Sequence, residues 1–173
     1  MEADLPAVTA LYAHHVLHGV GTFEEAPPSV DEMAERRRAV AARGLPWLVA
    51  EDDGRVLGYC YAAPFRTRAA YRYVAEDAIY VAHDAQGRGV GQALLLAMVD
   101  RCTALGLRQL MAVIGDRGND GSIRLHASVG FERVGVFRDV GYKHGRWLDI
   151  VLMQKPLNGG GDSAPIGAGL PLG

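Results

Sequence analysis

Residues 79–95 read IYVAHDAQGRGVGQALL, and this run constrains the fold more than any other part of the chain. An apolar, partly β-branched segment ends at Ala82, three glycines follow at alternate positions (Gly87, Gly89, Gly91), and apolar residues at helical spacing (Val90, Leu94, Ala97, Met98, Leu105) start at once. The pattern predicts a strand, a tight turn and a helix opening near Gly89. The first N–H groups of a helix have no partner inside it, and the macrodipole adds about half a positive charge at that end. Glycines without Cβ atoms let an anion approach closely, so such a turn suits a diphosphate, although three glycines also suit a plain strand-to-helix connection. Two phosphate loops are excluded by residue type. A nucleotide P-loop ends in Gly-Lys-Ser/Thr, whereas Gly91 is followed by Gln92 and Ala93; the dinucleotide fingerprint needs glycine where this chain has Gln92 or Leu94.

The other segments surround this unit with a mixed sheet. Asp4-Leu5-Pro6 opens a first helix carrying Val8, Leu11, Tyr12 and His15, and SVDEMAERRRAVAARG predicts a second, charged on its outer face. PWLVAEDDGRVLGYCYAAPF (46–65) holds two apolar runs around an Asp-Gly turn, a strong hairpin signal. VAEDAIYVA, LRQLMAVIG, ERVGVFRDVGY and RWLDIVLMQKPL supply further strands. The fold class expected is therefore α/β: a mixed, mostly antiparallel sheet flanked by helices. Residues 1–157 are expected to form one domain. Residues 158–173, rich in Gly, Pro, Ala and Ser, are expected to be a flexible tail, because they offer little side chain to offset ordering entropy.

Composition narrows the function. A net charge of −2 with both signs dispersed argues against nucleic acid, and no apolar stretch approaches the ~20 residues that cross a bilayer. Cys60 and Cys102 lack metal-ligand spacing, so no metal is expected, and a reducing cytoplasm fits them best.

Gln86-x-x-Gly89-x-Gly91 resembles the pyrophosphate loop of the GNAT acetyltransferase superfamily. Together with FEEAPPS, PWLVAEDDGRVLGYCYAAPFR, YRYVAEDAIYV, AVIGDRGN, SIRLHASVGF and VGYKHGRWLDI, it is similar to the phosphinothricin and methionine sulfoximine N-acetyltransferase branch over about residues 4–157. The resemblance implies a GNAT fold and acetyl-CoA as co-substrate. It puts the pyrophosphate on Gln86, Gly87, Arg88, Gly89, Val90, Gly91 and Gln92, and the pantetheine along Ile79, Tyr80 and Val81 with Asn119 and Ser122 beside it. It implies a homodimer, and also a short edge strand ahead of EADLPAV that has no counterpart in this sequence.

Acyl transfer from a thioester to an amine sets three demands. The amine must lose a proton, since an α-amino group of pKa roughly 8 is only about one-tenth neutral at pH 7. By resemblance Glu76 is the base; read alone, Glu76 and Asp77 are also ordinary strand-end charges. Charge on the thioester oxygen needs a waiting donor, implied to be Val81 N–H. The leaving thiolate gains from a proton donor, for which His126 stands where relatives carry a tyrosine. For the acceptor, Arg66, Thr67, Arg68 and Arg72 crowd one loop before the base-bearing strand and suit a carboxylate or phosphinate. Glu24, Asp77 and His144 complete the expected substrate side. The function expected is acetylation of the α-amino group of a small amino acid analogue. Acetylation of another amine (a peptide N-terminus or polyamine) and a non-catalytic acyl-CoA sensor are the alternatives.

Overall fold

The computed structural model describes residues 2–171. Helix α1 (Leu5–His18) follows Asp4 with proline in its first turn. Helix α2 (Val30–Ala42) begins at a capping box in which Ser29 Oγ accepts from Glu32 N and the Glu32 carboxylate accepts from Ser29 N. Strands β1 (Trp47–Asp52) and β2 (Arg55–Pro64) form the expected hairpin, with Asp53 and Gly54 at φ +47° and +76° as its two-residue turn requires. Then come β3 (Val74–Val81), α3 (Val90–Ala104), β4 (Gln109–Gly115), α4 (Asp120–Ser128), β5 (Glu132–Lys143) and β6 (Arg146–Pro156).

The six strands are ordered β1-β2-β3-β4-β6-β5. All neighbours are antiparallel except β3 and β4, which run parallel and stay paired only from Val74–Gln109 to Asp77–Ala112. Beyond that point β3 remains bonded to β2 as far as Val81, and β4 to β6 as far as Gly115. The two central strands therefore part, leaving a wedge in the middle of the sheet. Because Ala82 N donates to Leu57 O, strand alternation turns the N–H and C=O of Ile79 and Val81 away from β2 and into that wedge.

The faces of β3 carry different chemistry, since successive side chains alternate. Ala75 and Ile79 join the main core with Leu95, Met98 and Cys102 of α3. Tyr80 joins the core under α1 and α2, with Tyr12, Val16, Met33 and Tyr59. Glu76 thus faces the α1/α2 side and Asp77 the α3/α4 side.

The segment expected to hang free does not. Over its described part, Asn158 Nδ2 donates to Thr103 O and Leu107 O, Arg108 Nε donates to Gly160 O at 2.7 Å, Tyr73 Oη donates to Gly167 O at 2.8 Å, and Leu170 is buried in the main core. Its few side chains supply only part of the hold, through Asn158 and Leu170; Arg108 and Tyr73, distant donors that composition does not see, supply the rest.

Candidate active site

A cleft of about 1230 Å³ follows the wedge between β3 and β4. The α3 turn forms one end. Gly87 and Gly89 have φ +73° and +83°, so both need glycine for conformation, and a Cβ at either would meet open space. Gly91 serves differently: a Cβ there would lie 3.0 Å from Leu125, so its absence lets α3 approach α4. The first internal bond of α3 is donated by Ala93 N to Gly89 O, which leaves the amides of 90, 91 and 92 without a helical partner. Gln86, Gly87, Gly89, Gly91 and Gln92 all line the cleft; Arg88 is exposed beside it and Val90 is half-buried at the helix start.

At the other end of α4's approach, Asn119 Oδ1 accepts from Ser122 N at 3.3 Å and caps that helix, while both residues line the cleft. Ile79, Tyr80 and Val81 form its floor. Val81 O already accepts from His15 Nε2 at 3.0 Å, a contact on the wedge side of the strand. Burial lowers the His15 pKa, and the Val81 carbonyl opposes that shift.

Glu76 lines the same cleft from the α1/α2 face. Burial first, then the neighbouring charge of Asp77, hold its carboxyl above the usual carboxylate range, with Arg66 acting in the opposite sense. Such a carboxylate is a better base than an exposed one. Asp77, expected on the substrate side, turns to the opposite face, where its Oδ2 lies 3.0 Å from His126 Nε2. His126 is 2% exposed, and its Nδ1 donates to Ser122 O at 2.8 Å. With Nδ1 carrying a hydrogen, the Nε2–Oδ2 contact holds one further proton between the imidazole and the carboxyl. Burial pulls the His126 pKa down, but the hydrogen bond and charge of Asp77 outweigh it, and the net shift is upward. Among the described residues, Asp77 Oδ1 is buried with no hydrogen-bond partner.

The remaining wall is the loop 19–25, which sequence reading credited only with Glu24. Gly19, Val20, Gly21 and Thr22 line the cleft with Tyr12 and Tyr61. The loop is pinned to β4 and β5: Lys143 Nζ donates to Thr22 O at 2.8 Å, and Phe23 packs where a Cβ on Gly141 would lie 2.2 Å from its ring. Val20 O would be 2.3 Å from a Cβ on Gly115. Glycine inside a strand marks such close approach, and that signal was available in the sequence. Glu24 reaches the cleft but is spoken for, gripped by the Arg36 fork at 2.7 and 3.1 Å and by Tyr12 Oη at 2.9 Å. His144, at φ +51°, contacts Gly19 O at 3.3 Å and steadies the loop from outside the cleft.

The arginine loop is not brought into this cleft. Arg66, Thr67, Arg68 and Arg72 border a second cavity of about 190 Å³. Arg66 lies over the Phe65 ring at 4.4 Å and Arg72 over Tyr73 at 5.9 Å. Arg146 does line the main cleft, paired with Asp116 at 2.6 Å, and sequence reading missed both.

Unpaired amides at a helix start and an open strand edge in one cleft are what a diphosphate with an amide-bearing arm requires. A family model described as "Acetyltransferase (GNAT) family" matches residues 11–131. The chain belongs to the GNAT acetyltransferase family. Within it, the chain is 54% identical over 162 residues to a phosphinothricin N-acetyltransferase of Alcaligenes faecalis, covering 94% of this chain and 82% of that protein. It is 39% identical over 157 residues to an L-methionine sulfoximine/L-methionine sulfone acetyltransferase of Pseudomonas paraeruginosa, covering 90% and 91%. A crystal structure of a GNAT superfamily phosphinothricin acetyltransferase from Sinorhizobium meliloti, in complex with acetyl-CoA, superposes with a TM-score of 0.94 at 47% identity, covering 99% of this chain and 93% of that one.

Proposed function

We propose that this chain transfers the acetyl group of acetyl-CoA to the α-amino group of a small acidic amino acid analogue of the phosphinothricin or methionine sulfoximine type. The observation that carries the reading is the juxtaposition in one cleft of the unpaired α3 amides, the open edge of β3 and the half-buried Glu76. Acetyl-CoA supplies an activated acyl group as its thioester; this chain's residues orient it and move protons around it.

The amides of residues 87–92 hold the diphosphate, and Ile79 and Val81 receive the pantetheine as an added strand along the open edge of β3. Asn119 and Ser122 flank that arm. Glu76 removes the proton from the acceptor amine, directly or through water, from the α1/α2 side. Val81 N–H, directed into the wedge by strand alternation, receives the negative charge that develops on the thioester oxygen. His126, which lines the cleft, provides the proton for the departing thiolate when its Nδ1–H turns from Ser122 O to Ser122 Oγ, 3.4 Å away, and Asp77 keeps the imidazole protonated; the pair lies on the face of the sheet opposite Glu76, so base and acid do not neutralise one another. Arg66 and its neighbours, which border the second cavity, take the acid end of the acceptor by turning toward Glu76, a reading supported by the loop's place directly ahead of β3 and by the reach of the Arg66 charge to Glu76.

Two copies of the chain associate through β5 and the start of β6, where Phe137, Tyr142 and Trp147 are 51%, 59% and 61% exposed on and beside an edge strand. The two buried thiols suit a reducing, cytoplasmic setting. Thiol release from acetyl-CoA tests the reaction. Release with phosphinothricin, methionine sulfoximine or methionine sulfone is expected; release only with polyamines or peptide N-termini, or binding without release, contradicts it.

A further inference from the structure

The C-terminal segment lies against the loop that carries the arginines. Leu170 N donates to Arg72 O at 2.7 Å, and Tyr73 Oη donates to Gly167 O at 2.8 Å, so the segment grips the two residues that lead into β3 and, three positions later, to Glu76. Gly169, at φ +72°, fits so closely that a Cβ would lie 2.6 Å from Arg72 Cγ and 2.7 Å from Arg72 O. Leu170 drops into the main core, and Arg43 Nη1 reaches Pro171 O at 3.4 Å. The segment is anchored at its other end by Arg108 and Asn158.

Leu170 and Pro171 also close one side of the 190 Å³ cavity whose other sides carry Arg43, Arg66, Arg68 and Arg72. Among the described residues, none of these four guanidiniums forms an ion pair. Like charges gathered in this way repel, so the loop that bears three of them gains from a hold beyond its own turn bonds, Tyr71 N to Arg68 O and Arg72 Nε to Ala69 O. Backbone bonds from the C-terminal segment supply that hold without adding a carboxylate, which leaves the positive charge available to an anion.

We propose that residues 158–171 are a strap that positions the arginine-bearing loop 64–73 for the acid end of the acceptor, with Gly169 and Leu170 as its positioning residues. This rests on the reading that the loop receives the acceptor, and it makes the C-terminal segment a determinant of acceptor specificity with no part in holding the coenzyme.

The test uses full-length Gly169→Val and Leu170→Asp variants, with Leu170→Met as the conservative control. In the first two, KM for phosphinothricin is expected to rise about tenfold or more, while KM for acetyl-CoA stays within about twofold. Trypsin cleavage at Arg66, Arg68 and Arg72 is expected to accelerate about fivefold or more, as expected for a loop released from its cover. Leu170→Met should match the parent in all three readouts. Unchanged acceptor KM, or equal rises in both KM values together with a lowered melting temperature, would overturn the strap as an acceptor-positioning device. Arg66→Ala and Arg68→Ala separate the two failures. If they leave the acceptor KM unaltered, the acceptor reading of the loop is wrong even where trypsin shows that the strap holds it.

Discussion

Replacing Glu76 with glutamine keeps the shape of the side chain and removes its ability to accept a proton. The size of the loss discriminates between two roles. If Glu76 merely shifts the acceptor amine to its neutral form before reaction, deletion is bounded, because about one-tenth of an α-amino group of pKa roughly 8 is already neutral at pH 7. The loss is then at most about tenfold and disappears near pH 9. If the carboxylate takes the proton as the new bond forms, the loss is about 100-fold or more, some 2.7 kcal/mol of barrier, and persists in alkali. The half-buried position of Glu76 in the coenzyme cleft, with a pKa raised by burial and by Asp77, leads us to expect the second outcome. The wild-type kcat/KM should fall as pH drops through a limb above the usual carboxylate range, and that limb should be absent in Glu76→Gln. Stability moves the other way. A carboxyl whose pKa is raised on folding binds more protons in the native state, so stability declines as pH rises through the folded pKa. Glutamine abolishes that decline, and the melting temperature at pH 7 should be equal or higher. Steady-state thiol release from pH 5 to 9.5, with calorimetric titration of acetyl-CoA, makes the measurement. A loss below tenfold that vanishes in alkali, or a matching loss of coenzyme affinity, would refute the assignment.

Three further outcomes follow from the same geometry. Gly89→Val forces a β-branched residue to φ +83°, a strain of about 1–3 kcal/mol, and should weaken acetyl-CoA binding about tenfold or more while leaving S-acetylpantetheine, which lacks the diphosphate, unaffected in the same titration. The raised pKa of His126 means that its contribution to stability is complete below about pH 6.5 and lost as pH rises through the folded value. Thermal melts of the parent should show that slope, and Asp77→Asn should flatten it at a cost of about 1–3 kcal/mol, since asparagine still donates to Nε2. If two copies pair through β5 and the start of β6 as proposed, the parent should sediment as a dimer and Trp147→Glu as a monomer of unchanged melting temperature; a monomeric parent would contradict the pairing.

How much of this was legible before the structure depended on sequence distance. The Asp53-Gly54 turn and the Gly87–Gly91 run each encode their geometry within a few residues, and the structure carries both as read; the Ser29–Glu32 capping box is equally local and was not read. The pairing of His126 with Asp77 spans 49 positions and changes the meaning of both residues; no local pattern announces it. Alternation along β3 could have warned that Glu76 and Asp77 face opposite ways, so assigning both to the substrate side overlooked a rule already in hand. The arginine loop lies where the sequence order put it, just ahead of the base, but its side chains turn to a separate cavity covered by residues about 100 positions later. Gly115 ends β4 and Gly141 lies within β5; such glycines signal a close approach, and the structure identifies what approaches, Val20 and Phe23.

Amide hydrogen exchange, resolved by residue, tests the central claim most directly. Addition of acetyl-CoA should slow exchange at the amides of residues 90–92 and at Ile79 and Val81, because the coenzyme then supplies partners that the fold withholds. If those amides exchange at unchanged rates under saturating coenzyme while protection appears elsewhere, the diphosphate is not held at the start of α3 and the pantetheine does not lie along β3.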